Sequence, residues 1–181
     1  NKFLTGGLTI YKSNINMLNS EILDSKSEDA LNIINSTFHI DGLLVLNSLS
    51  DSIDIDFSNG EILNTEIYNS TNDGIDFSGS NVEMKKFQIL WSGDKAISVG
   101  EQSLIHAKDI KIDHATVGVA SKDGSMIFLD NLEVNNSNYG LVAYRKKDEY
   151  DGGQITANNV SFDLVKEKFK IDKNSKINYE E

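Results

Sequence analysis

The chain has 181 residues, enough for one domain with its own core, and a formal net charge of −11. It contains no Cys, which excludes disulfides and thiolate metal sites, and no Pro. The acidic balance disfavours nucleic acid, and no apolar run approaches the roughly 18 residues a membrane span needs, so neither a polynucleotide partner nor membrane insertion is expected.

The excess charge is confined to residues 1–144, which carry 20 Asp and Glu against 9 Lys and Arg. Residues 145–181 carry eight of each sign. The chain opens at Asn1 with no signal peptide, as a fragment or processed product of a larger protein would, so flanking domains are expected.

From about Leu8 onward one unit repeats. Its first half is a pattern of apolar, x, apolar, x, x, apolar, x, apolar. The first copy is Ile15-Met17-Ser20-Ile22, followed by Phe38-Ile40-Leu43-Val45 and a polar-substituted Ile62-Asn64-Ile67-Asn69. Then come Val82-Met84-Phe87-Ile89, Ile105-Ala107-Ile110-Ile112, Ile127-Leu129-Leu132-Val134 and Ile155-Ala157-Val160-Phe162. Alternation of period two predicts strands with one buried face. The two-residue break, filled by pairs such as Asp41-Gly42, Lys85-Lys86 and Asp130-Asn131, predicts a sharp turn that keeps the inward face inward.

Between these copies a small residue precedes an aliphatic one at a fixed step of 22: Ala30-Leu31, Ser52-Ile53, Gly74-Ile75, Ala96-Ile97, Gly118-Val119 and Gly140-Leu141. The next column reads Asn32, Asp54, Asp76, Ser98, Ala120 and Val142. Three short strands in about 22 residues, stacked on like neighbours, predict an all-β, single-stranded, right-handed parallel β-helix of about seven coils. Asn at turns is expected to form amide ladders, and the lack of Pro fits a stack in which nearly every amide donates to the next coil. The β-helix is assigned to residues 1–165, with an insertion between Tyr144 and Gly153, and residues 166–181 are expected to cover its C-terminal end. Residues 1–7 are short for an N-terminal cover.

The repeat resembles the pectin-lyase-like β-helix superfamily. "NDGIDFSGS" (72–80) and "GDKAISVG" (93–100) look like two signature segments of polygalacturonases, with Asp73 and Asp94 each matching one family Asp. The second Asp of the family's pair is Lys95 here, its Gly-His-Gly motif has no His in "TVGVASKDGS", and its Arg-Ile-Lys is only echoed by Tyr144-Arg145-Lys146. Set against the polygalacturonase pattern the chain is degenerate. It also resembles β-helix segments of uncharacterised bacterial exported proteins, which implies an extracellular or cell-surface location.

Asp54, Asp56 and Asp76 should share one outward strip, with Asp73 and Asp94 at the preceding corner. The expectation is a solvated acidic face, with calcium as the alternative occupant; on the solvated reading Asp76→Asn is neutral or slightly stabilising. No other cofactor is implied. Lys95, Lys122 and Arg145 could neutralise an acidic sugar, and the loop from Tyr144 is read as a solvated hairpin able to grip one. Trp91 is placed in the interior at a corner. His39 and His106 occupy matching outward positions three coils apart, too far to share a metal. The function expected is a non-catalytic rigid spacer, adhesion or polysaccharide-contact module. The alternative is an enzyme on acidic polysaccharide: a lyase, hydrolase or epimerase.

Overall fold

The computed structural model describes residues 6–180. Among them are fourteen strands and no helix: β1 (Gly6–Tyr11), β2 (Asn14–Leu23), β3 (Asp29–Ile34), β4 (Thr37–Ser48), β5 (Asp51–Asp56), β6 (Asn59–Ser70), β7 (Ile75–Ser78), β8 (Asn81–Gly100), β9 (Leu104–Lys122), β10 (Met126–Asn135), β11 (Tyr139–Tyr144), β12 (Gln154–Asp163), β13 (Glu167–Ile171) and β14 (Lys176–Tyr179). Every pairing is parallel, and each strand pairs with its counterpart 22 or 23 residues away, or 28 where the insertion after Tyr144 intervenes. The result is a parallel β-helix of about eight turns.

Each coil has three legs. The first comprises β1, β3, β5, β7, the ends of β8 and β9, then β11 and β13. The second and third are the two halves of one bent strand, as in β4, β6 and β10. All three corners are marked by left-handed residues. The first corner has Lys12, Asn35, Phe57, Gly79, Glu101 and Asp123; the second Asn19, Gly42, Asn64, Lys86, Asp109, Asn131 and Asn159; the third Asp24, Asn47, Asn69, Trp91, His114, Asn136 and Leu164. The abundance of Asn has its cause here, because Asn and Asp tolerate this region at the lowest cost after Gly. At the first corner Gly79 is required twice over: its φ is +59°, and an added Cβ would sit 2.6 Å from the Phe57 ring of the coil before.

The interior is a set of stacked columns. Ile53, Ile75, Ile97 and Val119 are in register and fully buried, with Leu31 and Leu141 at the two ends. Like shapes repeat at the interstrand spacing of about 4.8 Å, so a single apolar core runs the length of the domain.

A second column is polar and was not anticipated. Ser36, Ser58, Ser80, Ser103 and Ser125 are buried beside the first corner. The amides of Ser13, Ser36, Ser58, Ser80 and Ser103 each donate to the hydroxyl of the next serine along, at 2.9–3.2 Å. The chain bends there, so these N–H groups have no strand partner, and the hydroxyls stand in. The expected Asn ladder exists on the outside, as Asn69 to Asn47 to Asp24, but most exposed rungs run from Asn to Asp, as in Asn64 to Asp41.

Three expectations are corrected. The stack has about eight turns rather than seven, because the tail does not merely cover the end: β13 and β14 pair with β11 and β12 as a further coil. The third repeat is shifted by two residues: Gly60, Ile62, Thr65 and Ile67 lie against Val82, Met84, Phe87 and Ile89. The Phe38 ring fills the space above Gly60, where an added Cβ would lie 2.7 Å from it, so an aromatic in one coil has removed the apolar residue that marks the next. Trp91 is half exposed, because it is the left-handed residue of the third corner; its ring stacks on His114 of the next coil, centroids 4.0 Å apart. Residues 1–5 of the expected N-terminal stretch lie outside the described residues.

Candidate functional site

The outward face of the first leg carries the acidic residues singled out in the sequence. Strand alternation turns Ile53 and Ile55 inward and Asp54 and Asp56 outward, and the coil step sets Asp54 beside Asp76 in register. Asn32 precedes Asp54 in this column and Ser98 follows Asp76. The amide of Asn32 donates to Asp54 Oδ2 at 2.9 Å. At the other end Lys122, from the end of β9, reaches back to Ser98 Oγ (2.8 Å) and Asp76 Oδ1 (3.4 Å). Its side chain passes over Gly100, where an added Cβ would lie 2.6 Å from Lys122 Cε. A glycine at that position therefore opens the path that lets one cation serve two coils back.

Beside this column runs a second chain of bonds. Asp51 Oδ1 accepts the amides of Asp73 (2.9 Å) and Asn72 (2.7 Å), and Asp73 Oδ1 in turn accepts the amide of Lys95 (2.9 Å). The Lys95 ammonium lies 3.3 Å from Asp73 and also binds Asp94. Burial works to lower the Lys95 ammonium, but the carboxylates of Asp94 and Asp73 outweigh it and hold it above the usual lysine range.

Burial sets the electrostatics of the face. It pushes the Asp54 carboxyl up to about 8, reinforced by Asp56, Asp29, Asp76 and Asp51. It pushes Asp73 up to about 6 against the pull of Lys95. Asp51 and Asp56 are raised for the same first reason. The Tyr144 hydroxyl is raised by burial, against the pull of Lys122 and Lys95. The face therefore holds a carboxylic acid near neutral pH at Asp54 and a carboxylate paired to an ammonium at Asp76, one coil apart. Asn32 Oδ1, buried beside this pair, has no hydrogen-bond partner among the described residues. Among those residues no group of three or more His, Cys, Asp or Glu has the arrangement of a metal site.

Of the nine residues selected from sequence, eight belong to this face or its edge: Asp54, Asp56, Asp73, Asp76, Asp94, Lys95, Lys122 and Tyr144. Arg145 does not. Its guanidinium lies 3.6 Å from Asp148, and its amide donates to Asp172. Two readings need correction. The face is not fully solvated: Asp73 is buried under Lys95, Asp76 is partly covered by Lys122, and Asp54 and Asp56 are partly covered as well. Residues 145–153 are not a free hairpin either: fully buried Asp123 accepts the amides of Lys146 and Lys147, and Lys147 reaches Glu101. Sequence reasoning missed Asp123 as an organiser, since Lys122-Asp123-Gly124 reads as an ordinary turn. Asn32 and Ser98 were visible in the column of Asp54, and only their side-chain partners were hidden.

No protein-family model matches the chain, and neither does any curated protein sequence. Solved structures do resemble it. The enzymatically active domain of tailspike protein 2 from bacteriophage CBA120 superposes with a TM-score of 0.54 at 11% identity, covering 95% of this chain and 36% of that one. Two structures of the catalytic domain of a GH87 α-1,3-glucanase, with nigerose and with tetrasaccharides, give TM-scores of 0.33 and 0.34 at 10% and 12% identity, covering 94% of this chain in each case and 48% and 61% of theirs. The chain thus spans between about a third and three fifths of the structures it resembles. What the chain shares with the tailspike domain is the fold, a parallel β-helix.

Proposed function

We propose that this chain is a polysaccharide-contact domain of an exported or surface protein, and that the first-leg face is where the saccharide lies. One observation carries the reading. Asp54 and Asp76 stand in register between Asn32 on one side and Ser98 and Lys122 on the other, with the buried Asn32 Oδ1 left without a donor. Sugar hydroxyls are both donors and acceptors. They match the partly exposed Asp54 carboxyl, which can donate, and the Asp76 carboxylate beside it, which accepts. The fold shared with a tailspike's enzymatically active domain is in keeping with this.

In this reading the domain binds and does not cleave. Lys95 and Lys122 are already committed to Asp73 and Asp76, which leaves neither free to neutralise a sugar carboxylate. A specific observation favours a second reading, hydrolysis: an acid held protonated near neutrality one coil from a carboxylate is the pairing glycoside hydrolysis uses. The test is a panel of neutral and uronic-acid polysaccharides, each assayed for binding and for new reducing or unsaturated ends. Binding without new ends, weakened in Asp54→Ala and unchanged by chelator, is the expected result. New reducing ends that disappear in Asp54→Ala would select the hydrolase. Calcium-dependent binding would restore the cation as a cofactor.

A further inference from the structure

The second leg has an outward face of its own, on a different side of the coil. Its middle column reads Asn16, His39, Glu61, Glu83, His106, Phe128 and Thr156, each in register with the next. A groove of about 420 Å³ runs along it, lined by Glu61, Glu83, Lys85, His106, Phe128 and Asn158 among others. That volume is within the range of small-ligand sites, about 300–1,000 Å³. From Glu61 to Thr156 is four coil steps, about 19 Å, the length of a short oligosaccharide.

Three features define what fits. The rings of His106 and Phe128 are nearly parallel, 10° apart, with centroids 4.9 Å apart. Carbon rings in contact are about 3.5–4 Å apart, so these two are slipped and each leaves part of a face open. Phe128 is 39% exposed and Met126 beside it 38%. Second, Glu61 and Glu83 are adjacent in register; His39 binds Glu61 at 2.7 Å, while Glu83 and Lys85 have no ion-pair partner among the described residues. Third, the groove's charges nearly balance: Glu61, Glu83 and Asp130 against Lys85 and Lys108, with Lys108 and Asp130 paired at 2.6 Å. Open aromatic faces take the C–H face of a pyranose, carboxylates and a free ammonium take its hydroxyls, and a near-neutral lining on a protein of net charge −11 does not draw a polyanion.

We propose that this groove is a second binding site, for a neutral hexose oligosaccharide stacked on Phe128 and His106 and hydrogen-bonded by Glu83 and Lys85. It goes beyond the first-leg reading and does not depend on it. The experiment titrates the 181-residue chain with neutral glucan and mannan oligosaccharides of four to eight units and with oligogalacturonates, following backbone amide shifts and calorimetric affinity. Shifts clustered at residues 83–85, 106–108 and 128–130 are expected with a neutral oligomer. Affinity should fall about tenfold in Phe128→Ala and be kept in Phe128→Trp. Four outcomes overturn the proposal: no neutral oligomer binds folded protein; only oligogalacturonates bind; the shifts fall at residues 54–56 and 73–76 and survive Phe128→Ala; or the chain self-associates through this face, Phe128→Ala dissolving the dimer with no sugar bound.

Discussion

The first-leg and second-leg faces are built by the same rule and end in opposite states. In both, the coil step sets two carboxylates side by side: Asp54 with Asp76 on one face, Glu61 with Glu83 on the other. On the first leg the side chains are short and held by their neighbours. Lys95 and Lys122 lie across them, the residues are partly or wholly covered, and two of the carboxyls are pushed up to about 6 and about 8. On the second leg the carboxylates are on longer arms and stay exposed, and the groove next to them is lined by ring faces together with Lys85 and Lys108. Stacking like on like brings charges together in a parallel β-helix. Whether that becomes a perturbed site or a solvated one depends on what crosses over it.

Both faces assume the coil register, and the largest effect tests it. Ile75→Asp places a charge without a partner in the fully buried column, and should cost more than about 4 kcal/mol and unfold neighbouring coils with it. A thermal melt identical to the parent's would mean that Ile75 is not inside. Next comes the contrast between faces. Asp76→Asn leaves the buried Lys122 ammonium without its counter-charge and should destabilise by about 1–3 kcal/mol. The expectation that this change is neutral or stabilising belonged to a solvated face and does not survive the Lys122 contact. Glu83→Gln, on the open face, should stay within about 0.5 kcal/mol. Urea denaturation of the two variants side by side would erase the distinction if the costs came out equal.

A third effect is one of pH. Asp54 is raised in the folded state from 3.8 to about 8, so the native protein keeps a proton that the unfolded chain gives up. Stability from this group is fully present below about pH 4 and is lost as pH rises through about 8, with Asp73 adding to the fall between about 4 and 6. Asp54→Asn abolishes that dependence. The variant should match the parent at pH 4 and exceed it by about 1–2 kcal/mol at pH 8. Melting temperatures across that range read the effect directly, and parallel curves for parent and variant would show that Asp54 is not held protonated. Phe128→Ala should also have a small effect, its half-open ring contributing under about 1 kcal/mol to stability even as its loss weakens sugar binding.

The fold was legible because a solenoid writes its geometry into spacing. The 22-residue step of small and aliphatic residues located the interior, and the polar pairs at the bend located the second corner. The reading slipped where one coil compensates for another. Gly60 gives up its apolar side chain to the Phe38 ring above, and a pattern search confined to one repeat cannot see that. Trp91 was turned inward by alternation from Ile89, but alternation ends at a corner, and a left-handed residue points outward whatever its hydrophobicity. Membership of the first-leg face was legible too, since register alone assembles it. Its protonation was not, because that depends on how deeply the fold buries Asp54 and on the carboxylates of Asp56, Asp29, Asp76 and Asp51 gathered around it. The second-leg groove could have been found: His39 and His106 were matched, and filling in the column between them gives Glu61 and Glu83.

The insertion at the first corner has a wider consequence. Twenty-eight residues separate Asn131 from Asn159, against 22 from Asp109 to Asn131, yet β10 and β12 stay in unbroken register from Met126 and Gln154 onward. The extra length leaves the stack at a bend and returns to the same rung, pinned from below by Asp123. Corners of this molecule are thus places where evolution can add or remove chain without renegotiating the core. A lineage could graft, lengthen and shed loops over either face while the scaffold beneath them is inherited unchanged.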